Sequence, residues 1–344
     1  MNSLVKGKTV LVTGGTGSIG CEVVRQCLEG RAKVVRIFSR DEYKQFMLRN
    51  ELGERPDLRY LLGDVRSRDR LLRAMEGVDF VFHCAAYKHV PLCEYNPFEA
   101  VQTNVVGTEN VIAACLANNV ERLINISTDK AANPMNVLGA TKLLSERLTS
   151  SAMHSVGPRK TRMCSVRFGN VFGSRGSVVP LFIDQIRRGG PLTITNPDMT
   201  RFFLSIRQAV RLVFSATEAM GGGEVFILQM PVVRLGDIAD VLIEELAPRF
   251  GHDPRKVKRN IIGIRPGERM YEVLMTDEES EFAYQYKSMF VVAAKVELPQ
   301  VERKIAAPWE KHAVKAKHES YASDRLPVLQ KEDILRFLKD EAII

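Results

Sequence analysis

Short apolar runs and amphipathic stretches alternate from the N-terminus to Lys142. Thr9-Val10-Leu11-Val12 reads as a buried strand. It runs through Thr13-Gly14-Gly15-Thr16-Gly17-Ser18-Ile19-Gly20 into an amphipathic helical stretch that ends at Leu28. Lys33 to Phe38 predicts a second strand, Leu61-Leu62-Gly63-Asp64-Val65 a strand end, and Val78 to Ala86 a buried strand opening into small residues. This alternation predicts an α/β fold built on a doubly wound parallel sheet of the Rossmann kind. The pattern changes after Arg167-Phe168-Gly169-Asn170-Val171-Phe172-Gly173, where glycine-rich and proline-containing loops begin. A helix is expected over 181–188, a strand over 224–228 and a helix over 235–246. The expected division is a dinucleotide-binding domain over 1–172, to which 201–230 returns, and a smaller, interleaved C-terminal substrate-binding lobe over 173–344.

Composition narrows the class. The chain has 344 residues, of which 45% are hydrophobic and 26% charged, as in ordinary globular proteins. No apolar run reaches the roughly 18 residues of a membrane helix and no signal-peptide core opens the chain, so a cytoplasmic protein without membrane contact is expected. The six cysteines (Cys21, Cys27, Cys84, Cys93, Cys115, Cys164) lack paired ligand spacing and read as reduced core residues. The six histidines form no ligand motif, and no metal is expected. The net charge of +8 is spread along the chain without interleaved aromatics, which argues against nucleic acid and for an anionic small substrate. The basic stretch from Lys304 to Lys317 reads as solvated surface.

The glycine turn carries the first chemistry. A dinucleotide pyrophosphate must approach backbone N–H groups at a helix N-terminus, which makes Gly14, Thr16, Gly17, Ser18, Ile19 and Gly20 candidate cofactor contacts. The second strand ends in Ser39-Arg40 rather than in a carboxylate for ribose hydroxyls. Ser39, Arg40 and Lys44 therefore favour the 2′-phosphate of NADP, while Asp41 keeps NAD open. Asp64 and Val65 are placed beside the adenine, and Ala85 and Ala86 where the backbone nears the cofactor. Ser127-Thr128-Asp129-Lys130, with Lys142 twelve residues after Lys130, sets an acid beside a base where such a sheet presents its substrate.

These motifs, together with AAYKHVP at 85–91, STDKAANP at 127–134, RFGNVFGSRGSVVP at 167–180, MTRFF at 199–203 and IRPGE at 264–268, resemble the extended short-chain dehydrogenase/reductases. The resemblance is to the nucleotide-sugar 4,6-dehydratases that act on UDP-N-acetylglucosamine, and it runs from about Gly7 to about Val292. It implies a tightly bound nicotinamide cofactor, regenerated in each cycle, that oxidises C4 of the sugar. Water then leaves across C5 and C6, and hydride returns to C6. It further implies Lys130 as the C5 base, Asp129 as the acid for the C6 hydroxyl, Thr128 on the C4 hydroxyl and Lys142 on the nicotinamide ribose. Lys88 is expected to face the cofactor or the sugar, and Asn104 to support the catalytic backbone. For the nucleotide the candidates are Asn170, Arg201 and Arg265, with Arg175 and Arg207 competing and Glu268 accepting from a ribose hydroxyl. Val178 and Thr195 lie in loops that look like substrate-binding elements.

One position departs from the family pattern. Four residues before Lys142, where the family usually has a tyrosine that takes the C4 proton, this chain has Leu138. Asp129 is then assigned that second role, with Tyr87 a lower-ranked proton acceptor. Inversion at C5, retention, and release of a 5,6-unsaturated sugar all stay open. So do a UDP-sugar 4-epimerase and an inactive nucleotide-binding scaffold. A homo-oligomer is expected from the resemblance alone.

Overall fold

A computed structural model of the chain describes residues 3–174, 176–265, 267–293 and 307–344. It divides into two compact units. The first comprises Met1–Arg167, Val210–Gln229 and Met275–Ser320, the second Phe168–Ala209, Met230–Leu274 and Tyr321–Ile344.

The first unit is built on a ten-stranded sheet. Its early strands are β1 (Thr9–Thr13), β2 (Val34–Ser39), β3 (Leu58–Leu62), β4 (Phe80–His83), β5 (Arg122–Ile126) and β6 (Arg162–Arg167). They lie in the order β3-β2-β1-β4-β5-β6, all parallel, with Val10 opposite both Val35 and Phe80. This is the doubly wound order, and its reversal at β1/β4 is where such sheets bind ligands beyond the strand C-termini. Residues from both strands and helices, among them Leu11, Val81, Leu123, Val111 and Cys115, fill one core layer. The strand Val225–Leu228 continues the parallel sheet beside β6.

The domain division differs from the sequence expectation in three places. The first unit ends at Arg167 rather than at 172, the returning segment is 210–229 rather than 201–230, and residues 275–320 belong to the first unit rather than to the lobe. Ala283–Tyr286 and Met289–Val292 form a hairpin turned by Lys287 at φ 51°, and the hairpin extends the sheet antiparallel to Val225–Leu228. Val314–Lys315 adds the edge. Short antiparallel strands with no helix between them carry no βαβ signal, so the pattern that revealed the rest of the sheet could not reveal these.

In the second unit, helices Val178–Arg187, Leu235–Leu246 and Lys331–Asp340 bury Phe182, Ile186, Ile238, Leu242, Ile334 and Leu338 together. A three-stranded sheet joins Val232–Arg234, Thr200–Ser205 and Asn170–Phe172. The helix expected from 181 starts three residues earlier, and the one expected over 235–246 is found there. None of the six cysteines is in a disulfide; Cys27, Cys93, Cys115 and Cys164 are core residues, whereas Cys21 and Cys84 are partly exposed. Among the described residues no helix is long and apolar enough to cross a membrane. The expected basic surface stretch begins at 304–306, outside the described residues.

Candidate active site

The glycine turn is tied to β4 by contact. Gly14 has φ 64°, and a Cβ there would stand 2.7 Å from the Ala85 nitrogen. A Cβ on Gly20 would stand 2.3 Å from the Gly14 carbonyl oxygen. Both neighbours are backbone, so only glycine fits. The helix Ser18–Glu29 starts after Gly17 with no side-chain cap. Thr16 and Ser39 exchange a hydroxyl hydrogen bond of 2.8 Å, which joins the turn to the end of β2.

The expected 2′-phosphate cluster is only partly assembled. Arg40 stacks over the Tyr87 ring at 5.0 Å and reaches Asp64 at 3.7 Å. The Lys44 ammonium is paired with Asp41 at 2.6 Å, and Asp41 also caps the helix that follows, so Lys44 arrives with its charge already matched. Against the upward push of burial, hydrogen bonds from Arg66 hold the Asp64 carboxyl below its usual range. Val65 is a core residue packed on Gly107, and its carbonyl accepts from Asn110 at 3.1 Å.

Beyond β5, Thr128, Asp129 and Lys130 form a tight turn. Asp129 accepts from the Thr128 hydroxyl at 2.6 Å and from the Lys130 ammonium at 3.1 and 3.2 Å. The Asp129 side chain is 2% exposed and that of Lys130 29%, so the burial expected for the pair is complete only at the acid. The turn lies on the start of the helix Val137–Ser151. A Cβ on Gly139 would meet the Lys130 carbonyl oxygen at 2.3 Å. Gly139→Ala must therefore push the turn outward. We expect turnover to fall about a hundredfold, as about 1 Å of misplacement costs, with cofactor affinity retained; titration calorimetry beside steady-state rates checks this.

Four further residues of the first unit bear on the candidate site. Lys142 is 4% exposed, and among the described residues no acceptor hydrogen-bonds its ammonium. Burial pushes that ammonium down to about 8, against the charge of Glu146 one helical turn away. Asn104 lies in a π-helical turn, Gln102–Val106, where its side chain grips the Tyr87 backbone N–H at 2.8 Å and carbonyl at 3.3 Å and donates to Thr141 at 3.1 Å. Asn104 thus holds the Tyr87 backbone, and the neighbouring Lys88 is exposed. Leu138 packs with Cys93 and Ala100, so the position of the usual tyrosine has become core. His83, pushed by burial and then by Lys142 down to about 3, stays neutral between Thr13 and Thr108.

The nucleotide candidates lie in the second unit. Arg201 is not the free fork expected for a diphosphate. Its Nη1 donates to the Thr200 and Met270 carbonyls and its Nη2 to the Arg269 carbonyl, while Nε faces Glu272 at 3.3 Å. Asn170 donates to the same Glu272 at 3.1 Å. Arg201 and Asn170 are thereby brought together, and Glu272, which the sequence reading missed, is what joins them. Arg265 is exposed; its carbonyl accepts from the Glu268 N–H at 3.0 Å, and its own N–H donates to the Glu268 carboxylate at 3.4 Å. The Thr195 hydroxyl points to the Met199 sulfur, and Val178 opens its helix. Arg175 lies outside the described residues.

Sequence reasoning also missed Glu146, Glu279 and His83. Glu146 carried a signal, an acid four residues after Lys142 on a helix. Glu279 carried none, being 112 residues from its partner Arg167.

The sheet order, the glycine turn and the lysine helix define an extended short-chain dehydrogenase/reductase. The chain belongs to the family described as polysaccharide biosynthesis protein, which it matches over residues 10–294. It is 41% identical over 329 residues to the UDP-N-acetylglucosamine 4,6-dehydratase (inverting) of Campylobacter jejuni, covering 94% of this chain and 95% of that one. It is 44% identical over 276 residues to the UDP-glucose 4-epimerase of Rickettsia canadensis, covering 79% of each. The X-ray structure of Pen from Bacillus thuringiensis superposes with a TM-score of 0.89 at 44% identity, over 99% of each chain.

Proposed function

We propose that this protein is a UDP-N-acetylglucosamine 4,6-dehydratase with bound NADP. The observation that carries this reading is the Asp129–Lys130 pair, held at 3.1 Å at the C-terminal end of β5 with Lys142 on the helix that follows. The residues fit a nicotinamide dinucleotide: Gly14 and Gly20 permit the close backbone approach of a phosphate-binding turn, and the buried Lys142 ammonium suits ribose hydroxyls. When bound, that group supplies the hydride acceptor for C4 and the hydride donor for C6.

The protein's own part is proton traffic. Asp129, ionised, takes the proton of the C4 hydroxyl, the task that Leu138 cannot perform. Lys130, once it has released its ammonium proton, takes the C5 proton. Asp129 then passes its proton to the departing C6 hydroxyl, which leaves as water. Lys130 returns the C5 proton, and both groups end as they began. The Thr128 hydroxyl orients the carboxylate, Lys142 holds the ribose, and Asn170, Arg265 and Glu268 take the uridine nucleotide. Ser39 and Arg40 favour NADP over NAD, since neither supplies a carboxylate for ribose hydroxyls.

A UDP-sugar 4-epimerase is the second reading, favoured by the rickettsial likeness. The acid and base weigh against it, because a 4-epimerase eliminates nothing. Incubation with UDP-N-acetylglucosamine in deuterated water, without added reductant, separates the two. The expected product has lost water, before deuterium is counted, and shows a C6 methyl signal, and the denatured protein releases NADP. An isomer of unchanged mass supports the epimerase, an unsaturated product without a methyl means that hydride does not return to C6, and no reaction sinks the dehydratase reading.

A further inference from the structure

A buried ionic cluster that no proton step uses stands behind the reacting turn. Arg167, the last residue of β6, is fully buried. Its Nε and Nη2 donate to Glu146 at 3.0 and 2.6 Å, and its Nη1 and Nη2 donate to Glu279 at 2.8 and 3.1 Å. Glu279 is itself fixed by a capping box with Thr276. Glu146 also accepts the Ser127 hydroxyl at 2.5 Å. Burying three charges stabilises a fold less than apolar packing of the same volume, so a cluster of this kind is better read as a device that fixes geometry.

What it fixes is legible from the chain path. The Ser127 N–H makes the last ladder bond of this segment, to the Val166 carbonyl at 2.8 Å. Thr128, Asp129 and Lys130 then leave the sheet, and the Ser127 side chain is what anchors their near end. We propose that Glu146 is a positioning residue: clamped by Arg167 and Glu279, it fixes the Ser127 hydroxyl and with it the Thr128–Asp129–Lys130 turn. Its charge also acts on Lys142 from one helical turn away. The other groups facing Lys142 are Cys84 and neutral His83, at the end of β4. Two carboxylates against one guanidinium leave a negative charge, and Lys142 balances it.

The inference rests on the dehydratase reading for its rate test and not for its binding test. Ser127→Ala deletes one hydroxyl and should fold. Its kcat is expected to fall about tenfold or more, in line with the sensitivity of rate to small misplacements, with KM and NADP affinity within about twofold of the wild type. Ser127→Thr keeps the hydroxyl and should restore the rate. Glu146→Gln removes the charge and keeps one acceptor oxygen, since its amide nitrogen can only donate. The pH midpoint above which NADP binding weakens, set by Lys142, should move down by about one unit. The proposal is overturned if Ser127→Ala turns over normally, if its rate is lost only together with melting temperature and NADP affinity, or if Glu146→Gln leaves the midpoint unmoved. Should the wild type not dehydrate UDP-N-acetylglucosamine, the functional reading fails and the binding midpoint alone decides.

Discussion

Asp129→Asn and Lys130→Met should each lower dehydration by about three orders of magnitude, within the range that positioned acids and bases contribute, and they should fail at different steps. The Asp129 carboxylate receives the first proton, so its amide replacement stops the cycle before C4 is oxidised, and no reduced nicotinamide appears. Lys130 acts one step later. With methionine there, C4 can still be oxidised while the C5 proton stays, so near-ultraviolet absorbance of reduced nicotinamide should build up on mixing with UDP-N-acetylglucosamine and persist. Stopped-flow absorbance reads both. Asn can still accept from Thr128, and the 29% exposure of the Lys130 side chain lets water solvate an ammonium left without its carboxylate. Asp129→Asn should therefore melt close to the wild type, whereas Lys130→Met, which leaves the buried Asp129 carboxylate without its cation, should melt lower. Reduced cofactor accumulating in Asp129→Asn would move the first proton transfer to another group, with Tyr87 next in line. Turnover within tenfold of the wild type in both would remove the pair from the chemistry.

The parts of this molecule that the sequence displays are those in which one local rule decides. A buried strand, a glycine turn and an amphipathic helix follow one another within residues 9–29, and each constrains the next by contacts only a few residues long. Gly14 and Gly20 are legible because the backbone contact they permit has no other solution. The Asp129–Lys130 pair is legible because its partners are sequence neighbours. What stays hidden is decided at long range. Glu279 reaches Arg167 because a hairpin far along the chain returns to the sheet, and nothing in its own heptad of sequence says so. The π-helical turn around Asn104 cannot be told from α-helix by periodicity over five residues. Arg201 shows the opposite failure. An unpartnered guanidinium in the sequence reads as an anion ligand, and only the fold reveals that backbone carbonyls and Glu272 face its donors from the strand Thr200–Ser205.

Lys142→Met is expected to make the cofactor-free protein more stable while removing its hold on the cofactor. Burial pushes the Lys142 ammonium from 10.5 down to about 8, so at neutral pH the folded chain carries a charge it would be more stable without. The sign follows from linkage. Between pH 8 and 10.5 the unfolded chain keeps a proton that the folded chain has lost, so stability rises with pH across that window and the full penalty applies below it. The gap corresponds to roughly 3 kcal/mol. Methionine fills similar volume without charge, but Glu146 then loses the positive charge that balances the buried cluster, which leaves a net gain of about 2 kcal/mol. Thermal melts of stripped wild type and variant should differ most at pH 7 and converge above pH 10. NADP affinity of the variant should fall about a hundredfold, since hydrogen bonds from a buried ammonium are among the strong ones. A variant that melts lower at pH 7 would show that the ammonium is compensated in the folded protein by more than Glu146 and Cys84. A variant that melts higher and no longer binds would show that this lysine is kept for the cofactor and at the expense of the fold.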